Sequence, residues 1–158
     1  NDLSGKKYKS AEQMFDSYRQ FVSLVQKRLP KTKICFVSMK LSPSRRQHWE
    51  TVKKGNAMVK SFSMGKRLSY VDINPVLFNA NGTVKSELYT KDSLHLNPKG
   101  YREYTKVLLP FLTKKYNSET INLSTNNSCW ELQNVLLFYL YDTNYFNSHI
   151  FYLLFSCV

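Results

Sequence analysis

Residues 33–42 read KICFVSMKLS. Ile34, Cys35, Phe36 and Val37 form a short apolar run with β-branched and aromatic character. A run that is apolar on both sides of the pleat predicts a strand buried on both faces, as strands of parallel sheets are. The flanking segments carry the helical period instead. Upstream, Met14, Tyr18, Phe21, Val25 and Leu29 predict an amphipathic helix over 11–29. Ser10 stands at its N-cap, Gln13 completes a capping box, and Pro30 ends it. Downstream, Trp49, Val52, Val59 and Phe62 mark a second helix, with Asn56 filling the gap in the stripe and Gly65 closing it. Leu68–Ile73 predicts a second strand, and Asn81-Gly82 a turn. Asn97 caps a third helix with Pro98 at its first position, and Tyr101, Tyr104, Leu108 and Phe111 give its stripe. The order α-β-α-β-α with short connections implies an α/β fold, a parallel sheet covered by helices.

The chain has 158 residues, 42% hydrophobic and 22% charged, which suits one water-soluble domain with a core. Its net charge of +12 is uneven. Residues 1–115 carry +15, while 116–158 contain no Lys or Arg and carry −3. That break divides the chain into a basic body, 1–115, and an apolar, Asn-rich tail, 116–158. Within the tail, VLLFYLY (135–141) and IFYLLFSCV (150–158) flank a polar stretch, and neither is long enough to span a membrane. They read as two strands, an interfacial segment, or a tail without a fold of its own; the change in composition favours the last. Cys35, Cys129 and Cys157 show no metal or redox spacing, and Cys35 reads as a small core residue. The chain opens on Asn1 without an initiating Met, so it is expected to be processed or incomplete. No basic segment leading into an apolar one marks a signal peptide.

The segment KDSLHLNPKG (91–100) places Asp92 and His95 three residues apart, between the second strand and the third helix. Loops at the carboxyl ends of strands are where open sheets collect functional groups. A histidine serves as a general base near neutral pH when a carboxylate fixes its ring and tautomer. Spacing alone is a weak signal, since most such residues are surface groups.

Three elements in order, Asn1-Asp2, KLSPSRR after the first strand, and DSLHLNPKGY (92–101), make the sequence resemble the SGNH hydrolases, the GDSL-type esterase and lipase family. The resemblance covers roughly Asn1 to Leu112. It implies a flavodoxin-like α/β/α sandwich with a parallel sheet, here N-terminally incomplete. The two strands would be the last two of five, and the inner one would be left with an open edge that an apolar run of the tail could cover. The resemblance also implies ester hydrolysis by a Ser-His-Asp triad: Asp92 as the orienting acid, His95 as the base, and Asn1 as an oxyanion-hole donor. It implies no metal or organic cofactor, and a small-molecule, carbohydrate or lipid ester as substrate.

The departures are equally specific. Gly5, Gly55, Gly65, Gly82 and Gly100 are the only glycines, and none is followed two residues later by serine, so the nucleophile's Gly-x-Ser elbow is absent. Ser38 and Ser42, near the end of the first strand, are poor substitutes without a tight strand-to-helix turn. Leu41 stands where the family often has proline. The chain alone is therefore expected to be inactive. Two other readings are a non-catalytic binding protein of the same fold and an anion or nucleic-acid binder using Arg45, Arg46, Lys53, Lys54, Lys60, Lys66 and Arg67. Against the binder, the aromatic residues follow the buried stripes rather than the basic face. His48 and His149 have no partnered acid nearby in sequence and read as surface residues.

Overall fold

A computed structural model of the chain describes residues 9–65, 67–116, 135–138 and 152–155. These fall into two compact units. The first takes in the described residues of 1–39, 47–70 and 133–158, the second those of 40–46 and 71–132.

In the first unit, helix α1 spans Ala11–Arg28. Its capping box forms as the sequence predicts: Gln13 N donates to Ser10 Oγ at 3.2 Å, and Ser10 N donates to Gln13 Oε1 at 2.9 Å. The face it buries is Ala11, Met14, Tyr18, Val22 and Val25. Val22 takes the place expected for Phe21, which is half-buried, and Leu29 lies past the helix end, exposed. Strand β1, Lys33–Val37, is buried over its last four residues. Helix α2, Trp49–Phe62, buries Val52, Gly55, Asn56 and Val59, while the outer members of its stripe, Trp49 and Phe62, stay partly in solvent. Strand β2 spans Leu68–Val71.

Tyr18, Val22, Val25, Ile34, Phe36 and Val59 form the core of this unit, with the Tyr18 and Phe36 rings edge to face at 5.1 Å. Burying a side chain such as Phe36 contributes about 1.5–3 kcal/mol. Strands β1 and β2 are neighbours joined through α2, the crossover that a parallel pair requires. Strands β3, Val135–Phe138, and β4, Tyr152–Phe155, extend the sheet in the order β2-β1-β4-β3. Strand β4 runs antiparallel to β1, with Lys33 opposite Phe155 and Phe36 opposite Tyr152. So the sheet is mixed on that side, and the open edge of β1 is covered by part of the second apolar run of the tail.

The second unit is mostly short turns closed by helix α3, Pro98–Tyr116. Single-turn 3-10 segments lie at Asn74–Leu77 and Ser86–Leu88, and α3 packs on both. Leu41, Val71, Ile73, Leu77, Leu88, Tyr89 and Leu96 are buried here. The Asn81-Gly82 turn forms, with Gly82 at φ 78° and Asn79 N donating to Thr83 O at 2.8 Å. The inward face of α3 differs from the predicted stripe: Tyr104 and Leu108 are joined by Glu103 and Val107, while Tyr101 is 53% exposed. The cause is Gly100. It makes the close approach of the first turn, and the next residue, a hundred degrees further round the helix, is turned outward. The side chain of Phe111 lies outside the described residues.

Candidate active site

The loop of residues 88–97 is tied at its base by one side chain. Asn97 Nδ2 donates to the carbonyls of Glu87 (2.7 Å) and Tyr89 (3.0 Å), and Asn97 N to that of Leu88 (2.9 Å). Its Oδ1 accepts from Lys99 N and Gly100 N at 2.9 and 3.1 Å, capping α3. Above this, Tyr89 and Leu96 face each other as an antiparallel bridge, and Thr90 N donates to His95 O at 2.8 Å. At the tip, Ser93 N donates to Thr90 O at 2.9 Å, making a four-residue turn. Ser93 takes φ 54°, in the left-handed region that few residues with a side chain adopt.

This turn sets Asp92 against His95. Asp92 Oδ2 lies 2.6 Å from His95 Nδ1. Asp92 Oδ1 accepts from Thr90 Oγ1 at 2.5 Å, Leu94 N at 2.8 Å and His95 N at 3.0 Å. The Thr90 hydroxyl, the His95 ring and the two backbone N–H groups hold the Asp92 carboxyl far below the usual carboxylate range. An ionised carboxylate only accepts, so it places the imidazole proton on Nδ1 and leaves the Nε2 lone pair free. The His95 side chain is more than half exposed, so Nε2 is open to a bound group.

The segment 40–46 lies along this loop within the same unit. Lys40 Nζ donates to the Leu94 carbonyl at 2.6 Å, Ser42 Oγ donates to the same oxygen at 3.3 Å, and Ser44 N donates to the Ser93 carbonyl at 3.1 Å. Lys40 also sits 5.7 Å from the centre of the Tyr89 ring. Burial lowers its pKa to about 8; Asp92 opposes that shift and Arg45 adds to it. Tyr89 in turn donates its hydroxyl to Leu41 O at 3.4 Å, and burial pushes that phenol up to about 12. Leu41 N donates to Oδ1 of the buried Asn74 at 2.9 Å. A proline at position 41 would have no N–H to give, so Leu41 fits the partner it has. In the first unit, the buried Asn56 holds the residue before Lys40 in the same manner: Met39 N donates to its Oδ1, and its Nδ2 donates to Met39 O, both at 2.9 Å.

The structure thus brings together Asp92 and His95, two of the three site residues read from the sequence; the third, Asn1, lies outside the described residues. Ser38 and Ser42 are buried, 4% and 3% exposed, and so are not open to a substrate. Thr90, Asn74 and Tyr89 escaped the sequence reading, and Lys40 entered it only as the first residue of KLSPSRR, because a hydrogen bond to one particular atom leaves no periodic trace. Several of the basic residues are occupied locally: Lys53 pairs with Glu50 at 2.8 Å, Lys54 with Glu12, and Arg67 donates to the Pro30 carbonyl. Lys66 lies outside the described residues, as do Cys129, Cys157 and His149. Among the described residues, no cluster of three or more His, Cys, Asp or Glu could hold a metal ion, and no helix is long and apolar enough to cross a membrane.

No family model and no curated protein matches this chain. Solved structures do. A protein from Streptococcus pneumonia, provisionally named a platelet activating factor, is 21% identical, with a TM-score of 0.55 over 65% of this chain and 51% of its own. A provisionally named acylhydrolase from Bacteroides fragilis is 18% identical, with a TM-score of 0.55 over 66% of this chain and 52% of its own. A serine-to-alanine mutant of an acetyl esterase, crystallised with an acetate ion, is 16% identical, with a TM-score of 0.59 over 76% of this chain and 56% of its own. The chain spans about half the length of each. Over that half, it has the α/β fold of these structures.

Proposed function

We propose that this chain carries the acid–base part of an SGNH-type (GDSL) ester hydrolase, with the hydrolase portion in residues 1–115. The observation that carries the reading is the 2.6 Å contact between His95 Nδ1 and an Asp92 whose other oxygen is already held by three donors. In the proposed reaction a serine hydroxyl attacks the acyl carbonyl of an ester. His95 Nε2 takes the serine's proton and passes it to the leaving alcohol; it then takes a proton from the water that attacks the acyl-serine and gives it back to the serine as the acid leaves. Asp92 keeps the imidazole in the required tautomer and stabilises the imidazolium. Asn1 is the proposed donor to the oxyanion. The scheme needs no metal or organic cofactor. Its substrate is a small-molecule, carbohydrate or lipid ester. The fold shared with acylhydrolase and esterase structures supports the class of reaction without setting the substrate.

The nucleophile is not placed on this chain, because its sequence has no Gly-x-Ser segment and Ser38 and Ser42 are buried. The expected result is that residues 1–158 hydrolyse p-nitrophenyl acetate no faster than their His95→Ala variant. Clear, His95-dependent turnover would show that the nucleophile is on this chain after all. Any longer product of the same coding sequence that contains Gly-Asp-Ser should hydrolyse the ester and be blocked by a serine-directed phosphonate. It should lose about 10²–10⁴-fold in rate on His95→Ala. Turnover that ignores both the phosphonate and the substitution refutes the assignment. The missing elbow also favours a second reading, a binding protein of the same fold, for which residues 1–158 would bind an ester without cleaving it.

A further inference from the structure

We propose that Lys40 is a positioning residue for His95: with Ser42 it clamps the Leu94 carbonyl, and so fixes the peptide on which the imidazole is mounted. The proposal rests on the reading of Asp92 and His95 as an acid–base pair.

Two side chains from one segment converge on one oxygen. Lys40 Nζ reaches Leu94 O at 2.6 Å and Ser42 Oγ reaches it at 3.3 Å. The preceding carbonyl, that of Ser93, is taken by Ser44 N at 3.1 Å. The two consecutive carbonyls between Asp92 and His95 are therefore both held from residues 40–44. The next backbone group, His95 N, bonds Asp92 Oδ1 at 3.0 Å. The peptide joining Leu94 to His95 is thus held at both ends, its oxygen by Lys40 and Ser42 and its N–H by Asp92. Rotation of that peptide would swing the ring away from Asp92, and a misplacement of about 1 Å in a catalytic group can cost about 10²-fold in rate.

Two observations separate this role from mere packing. First, the ammonium is costly where it sits. It is half-buried, and burial depresses its pKa; of the charges in its field Asp92 favours the ammonium and Arg45 opposes it. A methionine keeps much of the side chain's length and removes the cost of desolvating a charge. Second, the Leu94 carbonyl would not be orphaned without Lys40, since Ser42 still donates to it. What Lys40 adds is direction: a second, charge-assisted and shorter bond on the same oxygen.

The test reads the imidazole itself rather than turnover, using ring ¹⁵N NMR of the full chain at a pH where His95 is neutral. The parent is expected to hold His95 mainly as the Nδ1–H tautomer. In Lys40→Met, with native spectral dispersion and an unchanged or higher melting temperature, that tautomer should become the minor form. Lys40→Arg, which restores a cationic donor, should keep it dominant. A folded Lys40→Met chain with the parental tautomer ratio overturns the proposal, as does an equal loss in Lys40→Arg. Should Lys40→Met not fold, Ser42→Ala decides: a native spectrum with a reduced Nδ1–H share supports the clamp, and an unchanged share overturns it. A parent already in the Nε2–H form sinks the acid–base reading, and the clamp with it. A parental Nδ1–H form that Lys40→Met leaves unmoved sinks the clamp alone.

Discussion

The hydroxyl of Thr90 makes the strongest single bond holding the Asp92 carboxyl ionised, ahead of the bond from the His95 ring. A hydroxyl donated at 2.5 Å stabilises the ionised carboxyl and does nothing comparable for the protonated one. Removing it in Thr90→Val should raise the pKa of Asp92, read as a shift of its ¹³C carboxyl titration to higher pH. The sign for stability follows. A carboxyl whose folded pKa is depressed stabilises the fold above its unfolded pKa, and that contribution fades as pH falls toward the folded value. Thr90→Val should therefore shrink the loss of stability on acidification; an unmoved titration would show that the backbone donors suffice. At this scale the sequence was legible where chemistry is carried by residue type and spacing. Asp92 and His95 stand out because only an acid and an imidazole can make that pair. Thr90 and Lys40 do not stand out, because any hydroxyl or ammonium brought close enough would serve, and only the fold decides which is.

Helix α3 shows what an element-level reading gets right and where it slips. Its start was legible, since Asn97 and Pro98 have a direct local reason to begin a helix, and both do. Its buried face was not, since the periodicity of large apolar residues overlooks contacts made by backbone. A Cβ on Gly100 would lie 2.3 Å from the Leu88 carbonyl and 3.0 Å from two carbons of Leu96. In an open helix, glycine to alanine would stabilise by roughly 0.5–1 kcal/mol. Here the clash is with backbone, which cannot step aside cheaply, so Gly100→Ala is expected to destabilise by about 1–3 kcal/mol in urea unfolding. A gain in stability would show that α3 can retreat from the loop. Helices α1 and α2 were easier to read, because their partners are side chains and the 3.6-residue period reports those directly.

For the molecule as a whole, the decisive pairing joins β1 to β4. The β1–α2–β2 unit was legible from the order of elements, whereas the direction and register of β4 were not, because a bare apolar run fits either orientation. Successive amides of a strand point to opposite edges. Ile34 N donates to Arg67 O on the β2 side, so the Cys35 amide faces β4, where Leu153 lies opposite. Leu153→Pro should break that ladder and speed hydrogen exchange at Cys35 N while sparing Ile34 N. Equal protection at Cys35 in both chains would show that β4 contributes no bond there. The same pairing sets a timetable. Strands β1 and β4 are more than a hundred residues apart, and a ribosome adds about 5–20 residues per second. For on the order of ten seconds, the nascent chain presents Ile34–Val37 with one ladder of backbone groups open to any passing strand. Yield in the cell should then depend less on the stability of the finished sheet than on how well a chaperone shields those four residues until their partner has been made.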